Sequence, residues 1–330
     1  EVIPTKHTDP EVVDFLMKFG EQFLGKTTVL CKDTPAFIAN RVGVYSIMSL
    51  LHIVEKMGLT VEEVDKLTGP VLGRPKSATF RTCDVVGLDT LVLVAKGLQQ
   101  NCPNDEAKEL FVIPSYIQKM VDNKWVGDKS GQGFYKKVKS KEGKSEILAL
   151  DLKTPESKPS QKVKFATLEL TKPIDKLKER IKILVGGKDK AGEFYRATFA
   201  GLFQYVSNRI PEISDELYRI DDALKAGFGW DLGPFEYWDA IGVKEAVALM
   251  EQSKNKPADW VYEMLKTNST FYKIEDGVRK FYDIPSKTYK AIPGTEEFIS
   301  LENIRSTKTI WKNSGVTITD LGDGIINAEF

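Results

Sequence analysis

Residues 37–54 repeat apolar side chains at three- and four-residue spacing, which predicts one long amphipathic helix. Its predicted buried stripe comprises Phe37, Asn40, Val44, Ile47, Leu51 and Val54, and its polar side comprises Arg41, Ser49, His52 and Glu55. Asp33 or Thr34 is the predicted N-cap, Pro35 suits the first helical position, and Gly58 is the predicted C-cap. The pattern therefore places one carboxamide among buried apolar residues.

Shorter patterns surround this helix. Further helices are predicted at 11–24, at 60–68, from Asp89 onward and at 114–123, and the one at 60–68 begins with a capping box of Thr60 and Glu63. Strands are predicted at 27–31, at 316–319 and after the turn Asp323-Gly324. From residue 136 to about residue 162 the chain is rich in Lys, Ser, Glu and Pro, which is typical of a solvated linker.

The helical pattern occurs twice. Phe37 matches Phe194, the same spacing persists to Asp65 and Asp222, and segment 131–137 resembles segment 278–284. After a small contraction, Asp84 matches Asp239 and Gly87 matches Gly242. Ordered matches of this kind indicate an internal duplication of a helical unit of roughly 100 residues.

The duplication bears on Asn40, because the equivalent residue of the second copy is Ala197. A buried amide that lacks partners costs about 1–3 kcal/mol, so Asn40 either bonds to a neighbouring helix or serves a site. An architectural amide would be expected in both copies. Its presence in one copy favours a site.

Composition narrows the function classes. The 330 residues include 47 Lys and Arg and 47 Asp and Glu, which argues against nucleic acid or an anionic membrane as partner. The apolar run 44–54 is too short to span a bilayer, and no signal peptide is evident. Three cysteines, an odd number without metal-type spacing, indicate a reducing compartment. These features predict a cytoplasmic protein.

Few residues carry an evident chemical motif. The histidines His7 and His52 lack the partner pattern of a catalytic triad or a metal site. Segment 227–233 is nearly GxGxxG, but it has one residue too many and follows a helix, so a dinucleotide loop is not predicted there. Segment 74–77, RPKS, is either a phosphate-binding loop or a solvated basic loop, and Lys129 by itself reads as a turn lysine.

Several stretches together resemble the 3-hydroxyacyl-CoA dehydrogenase family of fatty-acid β-oxidation. They are DTPAFIANR at 33–41, VEEVDKLTGPVLGRP at 61–75, DVVGLDT at 84–90 and KSGQGFYKK at 129–137. The resemblance is close to about residue 137 and looser over about 185–285, where GFGWDLGPFEYWDAIG is its most specific part. The ending DLGDGIINAEF is similar to the first strands of an enoyl-CoA hydratase (crotonase) domain.

The resemblance implies a mainly α fold with two related all-helical domains, similar to the C-terminal domain of 6-phosphogluconate dehydrogenase, and a small Rossmann remnant. The predicted domains are a Rossmann remnant at 1–33, helical copy 1 at 34–137, a linker at 138–180, helical copy 2 at 181–300 and the start of a crotonase-like domain at 301–330. Both ends of the chain look cut from a longer polypeptide, whose missing Rossmann and crotonase domains would be its partners.

The resemblance also implies an activity, the oxidation of (3S)-3-hydroxyacyl-CoA with NAD. The main NAD site and a catalytic histidine would lie in the absent Rossmann domain, so residues 1–330 would be inactive alone. Glu1 matches a glutamate that orients this histidine, Asn40 matches a substrate-side asparagine, and Lys129 matches a lysine near NAD. Two alternatives remain open: a related dehydrogenase acting on a sugar acid or nucleotide sugar, and a non-catalytic helical assembly module.

Overall fold

The structure, a computed structural model, describes residues 1–139, 143–294 and 299–330. Its first part contains helix α1 (Pro10–Lys18), a π-helical turn (Phe19–Phe23) and a parallel bridge between Val2 and Leu30. Of the strand predicted at 27–31, only this bridge is present.

Two successive units follow the same order of elements. The first comprises α2 (Ala39–Met57), α3 (Val61–Thr68), α4 (Phe80–Val86), α5 (Leu88–Asn101), α6 (Ser115–Asp122), β1 (Tyr135–Lys139), β2 (Ser145–Leu150) and β3 (Ser157–Pro159). Helices α7 (Ala166–Thr171) and α8 (Leu177–Gly186) lead to the second unit. The second comprises α9 (Lys190–Asn208), α10 (Leu217–Phe228), α11 (Pro234–Ile241), α12 (Val243–Gln252), α13 (Asp259–Leu265), β4 (Tyr272–Glu275), β5 (Val278–Asp283) and β6 (Thr288–Ala291). The chain continues through α14 (Leu301–Lys308), β7 (Thr309–Lys312), β8 (Thr317–Gly322) and β9 (Ile325–Glu329).

The expected mainly α, all-helical fold is wrong. Within the described residues, about half of the chain is helical, and nine strands form three antiparallel sheets of three strands each, ordered β1-β2-β3, β4-β5-β6 and β7-β8-β9. The sheet β1-β2-β3 occupies much of the stretch expected to be a solvated linker. Its register pairs Tyr135 with Ala149, and it buries little besides Ala149 and Leu150. Because so few of its side chains are buried, the amino-acid composition of this sheet is similar to that of a solvated linker.

The proposed domain boundaries stay predictions. Of the predicted ranges, 138–180 and 181–300 include residues 140–142 and 295–298, which lie outside the described residues. Buried apolar residues of the two repeated units form one continuous cluster, in which α2 packs against α9 and α10. None of the helices that the structure describes combines the length and apolar character that a bilayer crossing requires.

The repeat is visible in matching hydrogen bonds. The Tyr135 hydroxyl donates to the Asp65 carboxylate at 2.9 Å, and the Tyr272 hydroxyl donates to the Asp221 carboxylate at 2.7 Å. Asp65 therefore corresponds to Asp221, and the predicted match with Asp222 was wrong by one residue. The aspartates at the ends of α4 and α11 match as predicted, since each accepts the two backbone N–H groups that precede and begin the following strand.

Helix α2 begins later than predicted. Ala36 and Phe37 have φ values of 62° and 53°, which are incompatible with a right-handed helix, so α2 starts at Ala39. Asp33 and Thr34 are therefore not its caps, nor is Pro35 its first residue. The predicted end is confirmed, because Gly58 adopts the left-handed conformation with φ 60°.

The predicted faces of α2 are also partly wrong. Asn40 is exposed, whereas Arg41, expected on the polar side, is 0% exposed. The reason is that α2 packs against its own unit on one side and against α9 and α10 on another. A helix with two packed faces cannot be described by a single apolar stripe.

Candidate functional site

The side chain of Glu1 caps the start of α2. Val2 pairs with the 29–31 segment through Val2 N–H to Val29 O at 2.7 Å and Cys31 N–H to Val2 O at 2.9 Å. This pairing places Oε1 of Glu1 where it accepts the N–H groups of Ala39 at 2.8 Å and Ile38 at 3.1 Å. The first N–H groups of a helix have no intrahelical partner and favour negative charge, so they hold a carboxylate well.

Only one oxygen of this carboxylate is engaged. The Cys31 thiol also donates to Oε1 at 3.5 Å, while Oε2 has no hydrogen bond to any described residue. Burial, together with the neighbouring Glu1 carboxylate, raises the pKa of Cys31 to about 12, so the thiol stays neutral at physiological pH. Oε2 is consequently available as an acceptor for a group that approaches the start of α2.

Asn40, the next residue of α2, lines a cavity of about 330 Å³. This cavity lies between α2, the loop and helix of 74–86 and the end of α10; it is lined by Asn40, Gly43, Ser46, Ile47, Leu50, Thr68, Arg74, Pro75, Ser77, Ala78, Thr79, Thr82, Val86, Gly227, Phe228 and Trp230. The Asn40 amide makes no hydrogen bond to the described residues, so the alternative of an interhelical bond is not realised there. Glu1 does not line the cavity; it is connected to Asn40 through the backbone of Ala39.

Arg74 contributes a cation to the same cavity wall. Its guanidinium carbon lies 3.8 Å from the centre of the Trp230 ring, and its buried Nε has no hydrogen-bond partner among the described residues. The interpretation of 74–77 as a solvated loop is therefore wrong for Arg74. The repeat contained the relevant signal, because Gly73 and Gly229 both have left-handed backbones, with φ 67° and 65°, and the residues after them face each other.

Lys129 lies elsewhere. It is part of a 3₁₀ turn, Asp128–Ser130, and its ammonium forms an exposed ion pair with Asp89 at 2.6 Å. It does not line the cavity of Asn40, so the structure does not bring it together with the other two predicted site residues.

The stretch 227–233 does not form a cradle for the phosphates of NAD. It begins in the last turn of helix α10 and not after a strand, and the N–H of Gly233 already donates to Glu236 Oε2 at 2.7 Å. A Cβ at Gly233 would meet Asp221 at 2.3 Å, so this glycine serves close packing against a buried carboxylate. Among the described residues, no group of three or more His, Cys, Asp or Glu side chains is arranged to hold a metal ion.

A buried ion cluster, not foreseen from the sequence, fixes α2 against the second unit. Arg41 donates to Tyr205 Oη at 2.6 Å, to Asp105 Oδ2 at 2.7 Å and to Glu212 Oε1 at 2.9 Å. Arg209 pairs with Asp105 at 3.1 Å and with Glu212 at 2.8 Å. Because the cavity lies between the first unit and α10, this cluster helps to fix the spacing on which the cavity depends.

The chain is similar to known dehydrogenases over part or all of its length. Residues 37–137 match the family model "3-hydroxyacyl-CoA dehydrogenase, C-terminal domain". The whole chain is 44% identical over 332 residues to a "Probable 3-hydroxyacyl-CoA dehydrogenase" of Bacillus subtilis, and covers 41% of that protein. A protein of the same name from Deinococcus radiodurans is 49% identical over 144 residues, which are 44% of this chain and 41% of that protein. The chain thus spans about two fifths of the length of these curated relatives.

A solved structure supports the corrected fold. The 3-hydroxybutyryl-CoA dehydrogenase from Escherichia coli matches with a TM-score of 0.52 over 79% of this chain and 66% of that chain. At 16% sequence identity the likeness concerns the fold alone. It extends over 66% of that chain, which again contradicts the expected all-helical fold.

Proposed function

The chain belongs to the 3-hydroxyacyl-CoA dehydrogenase family, and from this membership we propose that it supplies the substrate side of an NAD-dependent (3S)-3-hydroxyacyl-CoA dehydrogenase of fatty-acid β-oxidation. The observation that carries the proposal is the position of Asn40. Its unpaired carboxamide lines a cavity of about 330 Å³ beside the helix start that Glu1 caps.

Asn40 is proposed to bind the substrate oxygen at the reacting carbon. A side-chain amide that makes no bond to the protein can donate to an oxygen whose charge changes during the reaction, without first breaking a bond of its own. Its amide is presented by the first turn of a helix whose following turns, with Gly43, Ile47 and Leu50, line the same cavity. These turns offer largely apolar surface to an acyl chain.

Glu1 is proposed to position the catalytic histidine. Two backbone N–H groups hold Oε1, which leaves Oε2 free to accept an imidazole N–H and to stabilise its cationic form. The histidine itself would come from residues outside this sequence. In this arrangement Glu1 orients the base and Asn40 orients the substrate, from adjacent positions at the start of α2.

NAD is proposed to bind mainly to residues outside this sequence, and residues 1–330 alone are proposed not to turn over NAD. Support comes from the sequence, in which the one near-match to a dinucleotide loop follows a helix. Lys129 remains a candidate for contact with the cofactor, although it would first have to leave its ion pair with Asp89. The proposed partners are Rossmann and crotonase domains of the same polypeptide, in the cytoplasm.

The test uses the complete polypeptide that contains residues 1–330, assayed for NADH formation with (3S)-3-hydroxyacyl-CoA. Asn40→Ala is expected to lower kcat by about 10²- to 10³-fold, as for loss of one donor to a developing charge. Asn101→Ala is the matched control, because Asn101 is an exposed asparagine whose side chain bonds only to Gly97 O. The control should retain full activity.

Three results would contradict the proposal. Oxidation of a sugar acid in place of the acyl-CoA would assign the chain to another dehydrogenase class. Full activity of Asn40→Ala would remove Asn40 from the site. NADH formation by residues 1–330 alone, above the background of the buffer, would refute the placement of the NAD site.

A further inference from the structure

We infer that Arg74 binds a carboxylate at the far end of the acyl chain, so that the preferred substrates are 3-hydroxyacyl-CoAs with a second, terminal carboxyl group. This inference rests on the proposed function, since it takes the cavity beside Asn40 as the acyl-chain site. It adds a specificity-determining residue and a substrate class to that site.

The first argument is the charge of the cavity. Arg74 is the one ionisable side chain among the residues that line it; the remainder are apolar, hydroxyl or amide groups. Arg74 also forms no ion pair within the described part of the chain, in which nearly every other buried or half-buried guanidinium has an acidic or carbonyl partner. An unneutralised cation facing a cavity favours an anionic ligand.

The second argument is the way in which the guanidinium is held. The Trp230 ring stacks on it at 3.8 Å, and the Tyr237 ring lies 5.6 Å away. Stacking fixes the plane of the group without using its N–H donors; the Tyr237 hydroxyl interacts with the guanidinium, and Nε is buried without an acceptor. A planar fork with unused donors matches the two oxygens of a carboxylate.

The third argument is position along α2. Arg74 also lines a smaller cavity of about 30 Å³ with Ser46, Leu50 and Thr68, so its level on α2 is that of Ser46 and Leu50. These residues follow Asn40 by two to three helical turns, which is roughly 10–15 Å at 1.5 Å per residue. The methylenes of an acyl chain would cross this interval past Ile47 and Phe228, and its terminal group would reach Arg74.

A phosphate-rich part of the ligand fits the same place less well. A diphosphate calls for several cations, whereas this cavity has one. Lys76, two residues further along, is exposed and lines a separate open cleft with Lys66 and Lys162. Lys76 therefore offers a control of equal charge change in the same loop.

Binding to residues 1–330, measured by titration calorimetry, tests the inference without NAD. The ligands are 3-hydroxydodecanedioyl-CoA, 3-hydroxydodecanoyl-CoA and free CoA. The wild-type chain is expected to bind the dioyl thioester about 10- to 100-fold more tightly than the monoacyl thioester, as for a hydrogen-bonded charged pair. Arg74→Met should abolish this ratio, Arg74→Lys should retain part of it, and Lys76→Met should retain all of it.

The outcomes separate the inference from the function on which it rests. Equal affinity of the wild-type chain for the two thioesters would overturn the role of Arg74 while leaving the dehydrogenase proposal intact. An equal loss for all three ligands in Arg74→Met, with an unchanged circular dichroism spectrum, would assign Arg74 to the CoA moiety and overturn it as well. If neither thioester bound more tightly than free CoA, both proposals would fall. Should Arg74→Met not fold, the ratio measured for the wild type and Arg74→Lys decides.

Discussion

Removal of the Asp105 carboxylate is expected to destabilise the chain more than any surface charge deletion. Asp105→Ala takes away the shared partner of two arginines whose side chains are almost completely buried, Arg41 at 0% and Arg209 at 4% exposure. The Asp105 side chain is itself 0% exposed, so water cannot replace it without a rearrangement of the packed units. The change leaves a surplus of buried positive charge.

The expected loss of unfolding free energy follows from the hydrogen bonds that Asp105 makes. Asp105 Oδ2 accepts from Arg41 at 2.7 Å and from the Tyr205 hydroxyl at 2.9 Å, and each bond to a charged group contributes about 1.5–3 kcal/mol. Two such bonds give about 3–6 kcal/mol. Glu212 stays within 2.9 Å of Arg41 and offsets part of the loss, so the expected decrease is about 3–5 kcal/mol, the range for a broken buried pair.

Urea unfolding followed by circular dichroism and by tryptophan fluorescence measures this decrease as a shift of the midpoint at constant m. Glu169→Gln is the control, because it breaks an exposed pair with Lys172 whose side chains are 49% and 68% exposed. The control should cost less than about 1 kcal/mol. If Asp105→Ala cost no more than the control, the cluster would not be what holds α2 against the second unit.

Two further predictions concern close packing and buried carboxyl groups. Gly43→Ala should lower the stability of the folded chain by about 1–3 kcal/mol, because the new Cβ would lie 2.1 Å from the Phe228 ring. Gly97→Ala, also within a helix but with open space around the new Cβ, should raise the stability by about 0.5–1 kcal/mol. Equal shifts of the urea midpoint for the two variants would contradict this. Burial raises the pKa of Asp84 to about 6 and that of Asp239 to about 7 against the opposing effect of their backbone N–H bonds. The folded state therefore binds the protons of these two carboxyl groups more tightly than the unfolded state does. The stability that the two groups contribute is complete below about pH 4 and is lost as the pH rises through 6 to 7. Carboxyl carbon resonances of Asp84 and Asp239 that titrate below pH 4 would refute the shift.

Features set by neighbours in sequence could be predicted. The capping box is present, with the Thr60 hydroxyl accepting from Glu63 N–H and the Glu63 carboxylate accepting from Thr60 N–H. Gly58 ends α2 and Gly87 takes the positive φ shared with its repeat partner Gly242. Each of these depends on a few consecutive residues and on backbone conformations that one residue type strongly prefers.

Features set by distant contacts could not be predicted. The cap of α2 comes from Glu1, far away in sequence, so the local candidates Asp33 and Thr34 were wrong. Arg41 was placed on the polar side because the three- and four-residue spacing of the apolar residues leaves it off their stripe, whereas its partners Asp105 and Glu212 come from other elements. The sheet β1-β2-β3 was missed because its lysine-rich first strand buries no apolar side chain completely, whereas β8 and β9 lie where strands were predicted on either side of the turn Asp323-Gly324.

The pairing of Arg74 with Trp230 connects the duplication to the site. The two residues occupy equivalent positions after left-handed glycines, and the approach of the two units brings equivalent loops into contact. Two copies with the same residue at this place would put either two arginines or two tryptophans face to face; the first pair would repel, and the second would leave the cavity without a cation. The polar member of this pair belongs to the first unit and lines the cavity of Asn40, so divergence between the copies at this place identifies the cavity side more directly than the apolar pattern of α2 does.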